Sequence, residues 1–397
     1  MNNYIFLGGF FPDAIQSEII KNSKGSIQFA ADTLQKGLLT GLFHYFKNLH
    51  IINLPYVGAY PVRYNKLFIP ACLVNDKGRS LSYPNIILLK NLFIYFKIKK
   101  EIIDFLQTHT GNVFIIIYSI QFSYLKAAID VSKKYKNLHI CQIVPDLPQF
   151  MGVPPGLIYK IYQKIQNRNT EKLIKEVHSF VLLSNYMAES LDVGQRPWVR
   201  IEGVFDANLK TEIVTKEKNK TILYTGGLAP RYGIMNLIEA FLNIRSDDYR
   251  LWICGAGEMS EEIKKIAASD KRIIYFGQIM REEVLRLQKR ATVLINPRTS
   301  EGMYTNYSFP SKTMEYLASG TPTIMHRLGG IPDEYFKYCY VAEEESAEGL
   351  RKMILCVCEK DPKELNDFGG KALKFIVENK NPISQVKKIY DMLRQYA

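Results

Sequence analysis

The chain has 397 residues, 47% of them hydrophobic and 23% charged, a balance that excludes a disordered or fibrous protein and suits a soluble globular one with two cored domains. No apolar run reaches the roughly eighteen residues of a membrane-spanning helix. The net charge of +13 is uneven: residues 1–200 hold 23 Lys and Arg against 12 Asp and Glu, while residues 201–397 hold 29 against 27. A basic first half points either to an anionic partner (a lipid surface, a diphosphate or nucleic acid) or to a solvated surface tuned for solubility.

Along the chain, short apolar runs alternate with longer amphipathic stretches, the pattern of α/β folds with parallel sheets. Met1-Asn2-Asn3 leads straight into Tyr4-Ile5-Phe6-Leu7 without a basic n-region or a long h-region, so no secretory signal is expected. The pattern predicts strands at 4–8, 51–54, 67–74, 113–118, 139–144 and 180–184. Helices are predicted near 26–47, 86–107, 121–135, 156–177 and 185–192. The alternation breaks between Asp192 and Val214, where a domain boundary and a hinge near 195–205 are expected. It then restarts, with strands at 221–226, 250–254, 273–276, 292–296, 322–325 and 339–342. Helices are predicted between them near 233–243, 259–268, 281–290, 310–318 and 346–360, and a closing helical segment over 363–396.

Cys72, Cys141, Cys254, Cys339, Cys356 and Cys358 are scattered and form no C-x-x-C pair. Neither a disulfide framework nor a zinc site is suggested, and a reducing cytoplasm fits. His178 and the other histidines show no ligand spacing.

The most informative stretch is Ser308-Phe309-Pro310-Ser311-Lys312-Thr313-Met314-Glu315-Tyr316-Leu317-Ala318-Ser319-Gly320-Thr321-Pro322. Pro310 suits a helix start, while Gly320 and Pro322 suit its end. A helix N-terminus offers free N–H groups and a positive dipole end to a phosphate, and Lys312 adds a full charge. Glu315 lies about 9 Å beyond Phe309 along such a helix, the span from a diphosphate to the ribose of one nucleotide. An ordinary surface helix with solvated Lys and Glu is the plainer alternative.

Four further segments end successive predicted strands of the same half. Gly226 and Gly227 open a turn in which Arg231 can fork onto phosphate oxygens. Gly255 and Gly257 open a second. Gly277 exposes backbone that can read a nucleobase edge, and Arg298 is either a phosphate ligand or a surface charge. Each alone fits simple turn chemistry. Their convergence with the helix accounts for a base, a ribose and a diphosphate.

These segments resemble the donor domain of retaining glycosyltransferases of family 4, of GT-B fold, in the branch that builds bacterial surface polysaccharides. The resemblance covers roughly residues 200–360, and reaches the first half only through Gly8-Gly9, Pro145-Asp146-Leu147-Pro148 and Leu183-Ser184. It implies an α/β GT-B architecture of two Rossmann-like domains facing a cleft. The acceptor-binding domain spans 1–195, the nucleotide-sugar domain 196–380, and a last helix over 381–397 crosses back. The implied reaction moves a sugar, with retention, from a nucleotide-sugar co-substrate of UDP type to a glycan acceptor, lipid-linked, at the inner membrane face. Glu315 is implied to hold the ribose, Arg231 and Lys312 the diphosphate, with Arg298, Ser308 and Phe309 beside them. Gly8 and Gly9 are implied to lie near the diphosphate, and Asp146 near sugar and acceptor, unless it is only a turn aspartate; Ser119 and Gln121 are weaker candidates. Many members carry two glutamates eight residues apart; here the first position is Tyr307.

No nucleophile–base pair is visible, so front-face attack is expected. No Asp-x-Asp occurs, so no metal and no resident cofactor are expected. The basic aromatic stretches Leu42–Lys47 and Lys90–Lys100 either lie on an anionic membrane surface or are buried helix faces with snorkelling lysines. Two rivals stay open: a GT-B UDP-sugar epimerase or hydrolase, and a non-catalytic partner subunit. A nucleic-acid binder is not expected, since aromatic–basic RNA motifs are absent.

Overall fold

The computed structural model describes residues 2–25, 27–87, 89–147, 157–205 and 214–396. The chain divides into two units, Met1–Val204 with Pro382–Ala397, and Phe205–Asn381.

In the first unit the strands are β1 (Asn3–Gly8), β2 (Leu49–Asn53), β3 (Phe68–Ile69), β4 (Cys72–Leu73), β5 (Gly78–Ser80), β6 (Tyr83–Pro84), β7 (Val113–Tyr118), β8 (Leu138–Val144), β9 (Ser179–Leu182) and β10 (Trp198–Arg200). The helices are α1 (Asp13–Asn22), α2 (Phe29–Tyr45), α3 (Lys90–Thr108), α4 (Phe122–Ser132), α5 (Leu157–Ile174) and α6 (Tyr186–Ser190). Eight strands form one sheet in the order β10-β9-β8-β7-β1-β2-β5-β4, with only the β4–β5 edge antiparallel. The Val-Phe-Ile-Ile-Ile-Tyr run of β7 is buried at every position, as a central parallel strand covered on both faces requires.

In the second unit the strands are β11 (Lys220–Thr225), β12 (Tyr249–Cys254), β13 (Ile273–Gly277), β14 (Val293–Asn296), β15 (Thr323–Met325) and β16 (Tyr340–Val341). Between and after them lie α7 (Ile234–Leu242), α8 (Ser260–Ser269), α9 (Arg281–Arg290), α10 (Ser311–Ala318), α11 (Ala347–Cys358) and α12 (Pro362–Asn379). The sheet is wholly parallel, ordered β13-β12-β11-β14-β15-β16. That is the doubly wound 3-2-1-4-5-6 order, whose direction reverses between β11 and β14. Ile222, Leu251, Ile253, Val293 and Ile295 pack from this sheet onto Leu237 and Phe241 of α7. Each such side chain contributes about 1.5–3 kcal/mol on leaving water.

The last helix, α13 (Pro382–Leu393), returns to the first unit. Val386 and Ile389 join Leu38 and Leu42 of α2 in its core. The approach is close: a Cβ on Gly41 would lie 2.3 Å from the Pro382 carbonyl oxygen.

Three expectations need correction. The single strand over 67–74 is two dipeptides in different sheets, β3 paired with β6 and β4 with β5. Pro70 lies between them and cannot donate to a ladder. The closing segment over 363–396 is two helices, because Pro382 ends the ladder that α12 would need. Helix α1 had not been expected, although Pro12 as its N-cap and Asp13 in its first turn are ordinary start signals.

Candidate functional site

In open α/β sheets ligands bind beyond the carboxyl ends of the strands, at the point where strand order reverses. In the second unit that point lies between the loops leaving β11 and β14. The first loop makes a short 3-10 turn, Pro230–Tyr232, and passes through Gly233 at φ +74°. A Cβ there would lie 2.1 Å from the Pro297 carbonyl oxygen, so only glycine lets the two loops touch.

Arg298 sits at this contact and is only 8% exposed. Its Nη2 donates to the Ser308 hydroxyl at 3.3 Å. Its guanidinium lies 4.6 Å from the Tyr304 ring centroid and 5.9 Å from that of Tyr232. Its Nε is buried without an acceptor. No carboxylate among the described residues pairs with it. A buried guanidinium without a counter-charge carries a desolvation cost of several kcal/mol, and the usual remedy is an anion. Arg231, ranked above Arg298 in the sequence, is exposed and rests against the Tyr232 ring at 5.2 Å.

Helix α10 lies beside this point. Pro310 is its N-cap and provides no side-chain cap, so the amide donors of the first turn are not consumed by a capping side chain. The Thr313 amide alone bonds back, to the Pro310 carbonyl at 2.8 Å. Gly320, at φ +74°, lies one residue beyond the C-cap Ser319. Tyr316 locks the helix to the sheet: its phenol accepts the Thr225 N–H at 2.8 Å and donates to the Thr225 carbonyl at 3.0 Å. Burial raises this phenol far above its usual range and keeps it protonated.

One turn in, Lys312 donates to Glu315 Oε1 at 2.8 Å. The same oxygen accepts from Gln288 Nε2 of α9 at 2.7 Å. Gln288 also donates to the Thr225 hydroxyl at 3.3 Å, and its own Oε1 is buried without a donor. The Glu315 side chain is 17% exposed and that of Lys312 39%. The two residues assigned to different parts of a ligand therefore hold each other.

The glycine turns form one hydrogen-bonded edge. Gly226 N–H donates to the Cys254 carbonyl, Gly255 N–H to that of Gly277, and Leu228 N–H to that of Ala256. Cβ atoms on Gly255 and Gly257 would collide with backbone of the β11 loop at 1.8 and 2.5 Å. Gly226 and Gly227 face the Tyr224 hydroxyl and the Tyr232 ring. Gly277, at φ +67°, differs: nothing lies within 4 Å of its Cβ position, although its carbonyl is already used by Gly255. Burial pushes the Cys254 thiol up to about 12, so it offers no thiolate nucleophile at neutral pH.

Ser308 is thus tied to Arg298. Phe309 has a packing role instead: its ring meets Tyr335 at 5.2 Å in an apolar cluster. The sequence reading missed Gln288, Tyr304 and Tyr316. A signal for Gln288 did exist: it follows Val284 by four residues on the face that buries Leu287, where an apolar residue is expected.

Of the candidates of the first unit, Gly8, Gly9 and Ser119 end or follow β1 and β7, the strands of its own reversal point, while Asp146 follows the next strand, β8. Gly8 and Gly9 are buried and packed against protein. Gly9 N–H donates to Gln35 Oε1 at 2.7 Å, and a Cβ on Gly9 would lie 2.2 Å from the Tyr56 ring. Tyr56 in turn donates to the Tyr118 carbonyl at 2.6 Å. Both glycines are thus closely packed against the side chains of the first unit. Ser119 is buried at φ +66°. Asp146 reaches solvent, yet the protein around its loop withdraws part of its hydration and raises its carboxyl above the ordinary range. Pro148, the far side of that loop, lies outside the described residues.

Among the described residues, no three His, Cys, Asp or Glu side chains are grouped to hold a metal ion, and no helix is long and apolar enough to cross a membrane.

The comparisons with known proteins fall on this architecture. Residues 219–360 match the family described as Glycosyl transferases group 1, a segment running from β11 through α11. No curated protein sequence matches the chain. Among solved structures it is similar to sucrose-phosphate synthase from Thermosynechococcus elongatus, at TM-score 0.63 and 13% identity over 99% of both chains. It is similar to Anabaena HepE in complex with UDP, at 0.62 and 12% over 99% of this chain and 100% of that one. It is also similar to the apo form of the lipopolysaccharide outer core galactosyltransferase WaaB, at 0.64 and 13% over 100% of both. These likenesses establish the fold, an α/β GT-B architecture built from Rossmann-like parallel sheets.

Proposed function

We propose that the chain is a retaining glycosyltransferase that moves a sugar from a nucleotide-sugar, of UDP type, to a glycan acceptor. The observation that carries the reading is Arg298: a buried guanidinium at the reversal point of the second sheet, with no carboxylate among the described residues to balance it. A diphosphate supplies two or more negative charges in a form that a guanidinium fork and helix amides both accept. Lys312 and Arg231 add charge at the rim. Glu315, firmly placed by Gln288, offers a free oxygen to the ribose hydroxyls. HepE, of the same fold, was solved with UDP, which supports a uridine nucleotide. The match of residues 219–360 to a glycosyltransferase family supports the reaction class.

In this reading the acceptor hydroxyl attacks the anomeric carbon on the face the diphosphate leaves. The carbon–oxygen bond to phosphate breaks as the new glycosidic bond forms, and the departing phosphate oxygen takes the acceptor proton. The chain contributes positioning and cationic stabilisation of the leaving group, with Asp146 orienting sugar or acceptor. The cations and the α10 dipole balance the diphosphate in place of a metal. The acceptor is a lipid-linked glycan of surface polysaccharide synthesis, met at the inner face of the cell membrane.

A thermal-shift panel of UDP-, GDP- and ADP-sugars tests this. One nucleotide class, UDP, raises the melting temperature, and Lys312→Ala removes most of the shift. Silence toward all three classes defeats the proposal. Epimer and free UDP formed from a UDP-sugar without acceptor favour an isomerase instead.

A further inference from the structure

The described surface exposes 17 large apolar side chains, and nine of them fall within residues 62–96 of the first unit. Residues 60–104 also hold eight Lys and Arg against three acidic residues, Asp76, Glu101 and Asp104, with Lys66 paired to Glu18 and Arg79 to Glu101. The two basic aromatic stretches noted in the sequence separate here. The stretch Leu42–Lys47 is largely core, with Leu42 and Phe46 buried. Helix α3 has two apolar faces. One, formed by Ile94, Ile98, Ile102 and Phe105, is buried. The other, formed by Leu89, Leu92, Phe93 and Phe96 at i, i+3, i+4 and i+7, is exposed, and its stripe continues into exposed Lys97 and Lys100. Beside it, the β3–β6 ribbon packs on α3 through β6 and exposes Leu67 and Phe68 next to Lys66.

We infer that this face of α3 and its ribbon is a docking surface for an anionic lipid bilayer. An apolar stripe on a surface helix whose other face is already buried needs a further apolar phase, and lysines at its edge select negative headgroups. A second copy of the chain fits less well, since an isologous contact would bring the same basic residues face to face. Lys90 takes no part: it is half-buried, and its ammonium donates to the Val57 carbonyl at 2.6 Å. The inference deepens the lipid-linked acceptor reading by assigning the surface that meets the membrane, but the binding itself needs no transfer reaction.

Co-sedimentation of the full chain with vesicles tests it. Vesicles of seven parts phosphatidylcholine to three of phosphatidylglycerol retain the protein at low salt, and pure phosphatidylcholine vesicles do not. Leu92→Ser with Phe96→Ser lowers the partition coefficient at least about tenfold. Lys97→Ala with Lys100→Ala lowers it by about tenfold, a value that allows for the Asp104 partner of Lys100. Met280→Ser, at an exposed apolar residue of the second unit, leaves it unchanged. Absence of binding to the anionic vesicles overturns the inference, as does binding indifferent to both double variants. So does a dimer by light scattering that Leu92→Ser with Phe96→Ser dissociates. The UDP-sugar thermal shift, measured on the same variants, separates the two readings: its loss in the unaltered chain counts against the transferase alone, and loss of vesicle binding alone counts against the docking surface.

Discussion

Two reversal points built on the same topology have opposite contents. Between β1 and β7, the chain fills the space itself. Tyr56 lies over Gly9 and bonds the Tyr118 carbonyl, while Gln35 takes the Gly9 amide and Tyr124 bonds the Leu54 carbonyl. Between β11 and β14, the chain places a guanidinium with an unused donor and, among the described residues, no carboxylate paired to it. Near the first point glycine serves packing; in the second unit's edge Gly277 alone faces open space. Glycines at a sheet edge therefore do not mark a ligand by themselves. What distinguishes the two edges is whether charge and hydrogen-bonding capacity are satisfied by the chain.

The largest effect that tests this contrast is at Arg298. Arg298→Ala is expected to lower kcat/KM for sugar transfer by about 10²–10³, the scale for removing a preorganised donor to a charged transition state. Arg298→Lys recovers little of it, since a point charge cannot fork between Ser308 and a phosphate. Arg231→Ala, at an exposed site, costs only about tenfold. If steady-state kinetics reverse that order, the buried guanidinium is structural and the contrast fails.

The next effect reads the packed edge. Gly9→Ala drives a methyl group into the Tyr56 ring and is expected to cost about 1–3 kcal/mol. Gly277→Ala pays only for its left-handed backbone, about 1 kcal/mol. Urea unfolding followed by tryptophan and tyrosine fluorescence ranks the two, and a larger loss at Gly277 would contradict the assignment of packed and open edges.

The smallest effect concerns Lys216, whose ammonium donates to the Ala291 carbonyl and the Thr321 hydroxyl, both at 2.8 Å, behind the exit of α10. Burial lowers it to about 8. Below pH 8 the folded state bears the full cost of that buried charge. Between pH 8 and 10.5 the unfolded chain holds more protons, so the contribution to stability rises with pH, by no more than about 2 kcal/mol. Lys216→Met is expected to flatten this rise in denaturation midpoints measured across that window.

Much of the second unit was legible because its chemistry is local. Strand–turn–helix punctuation located β11 through α11 within a residue or two, and Pro310 and Gly320 bracketed α10. What could not be read was set by tertiary contact. Nothing local ranks Arg298 above Arg231, since burial follows from Gly233 meeting Pro297. Gln288 stands out locally only as a polar residue at a position of the buried face; its partners, Thr225 and Glu315, are set by where α9 packs. In the first unit, the tyrosine ring that packs on Gly9 could not be read locally, because glycine before a turn serves a ligand and a tyrosine ring equally well. The 67–74 run misled because its apolar content outweighed Pro70.

The mutual grip of Lys312 and Glu315 acts as a two-key lock. A guest bearing phosphate alone draws off the ammonium and leaves a half-buried carboxylate with the neutral Gln288 as its remaining partner; a guest bearing a diol alone engages the carboxylate and leaves the ammonium without its counter-charge. Only a molecule that brings both at the right separation releases the pair without leaving either charge unanswered. On the proposed reading, inorganic phosphate, abundant in any cell, is turned away by the residues assigned to the nucleotide.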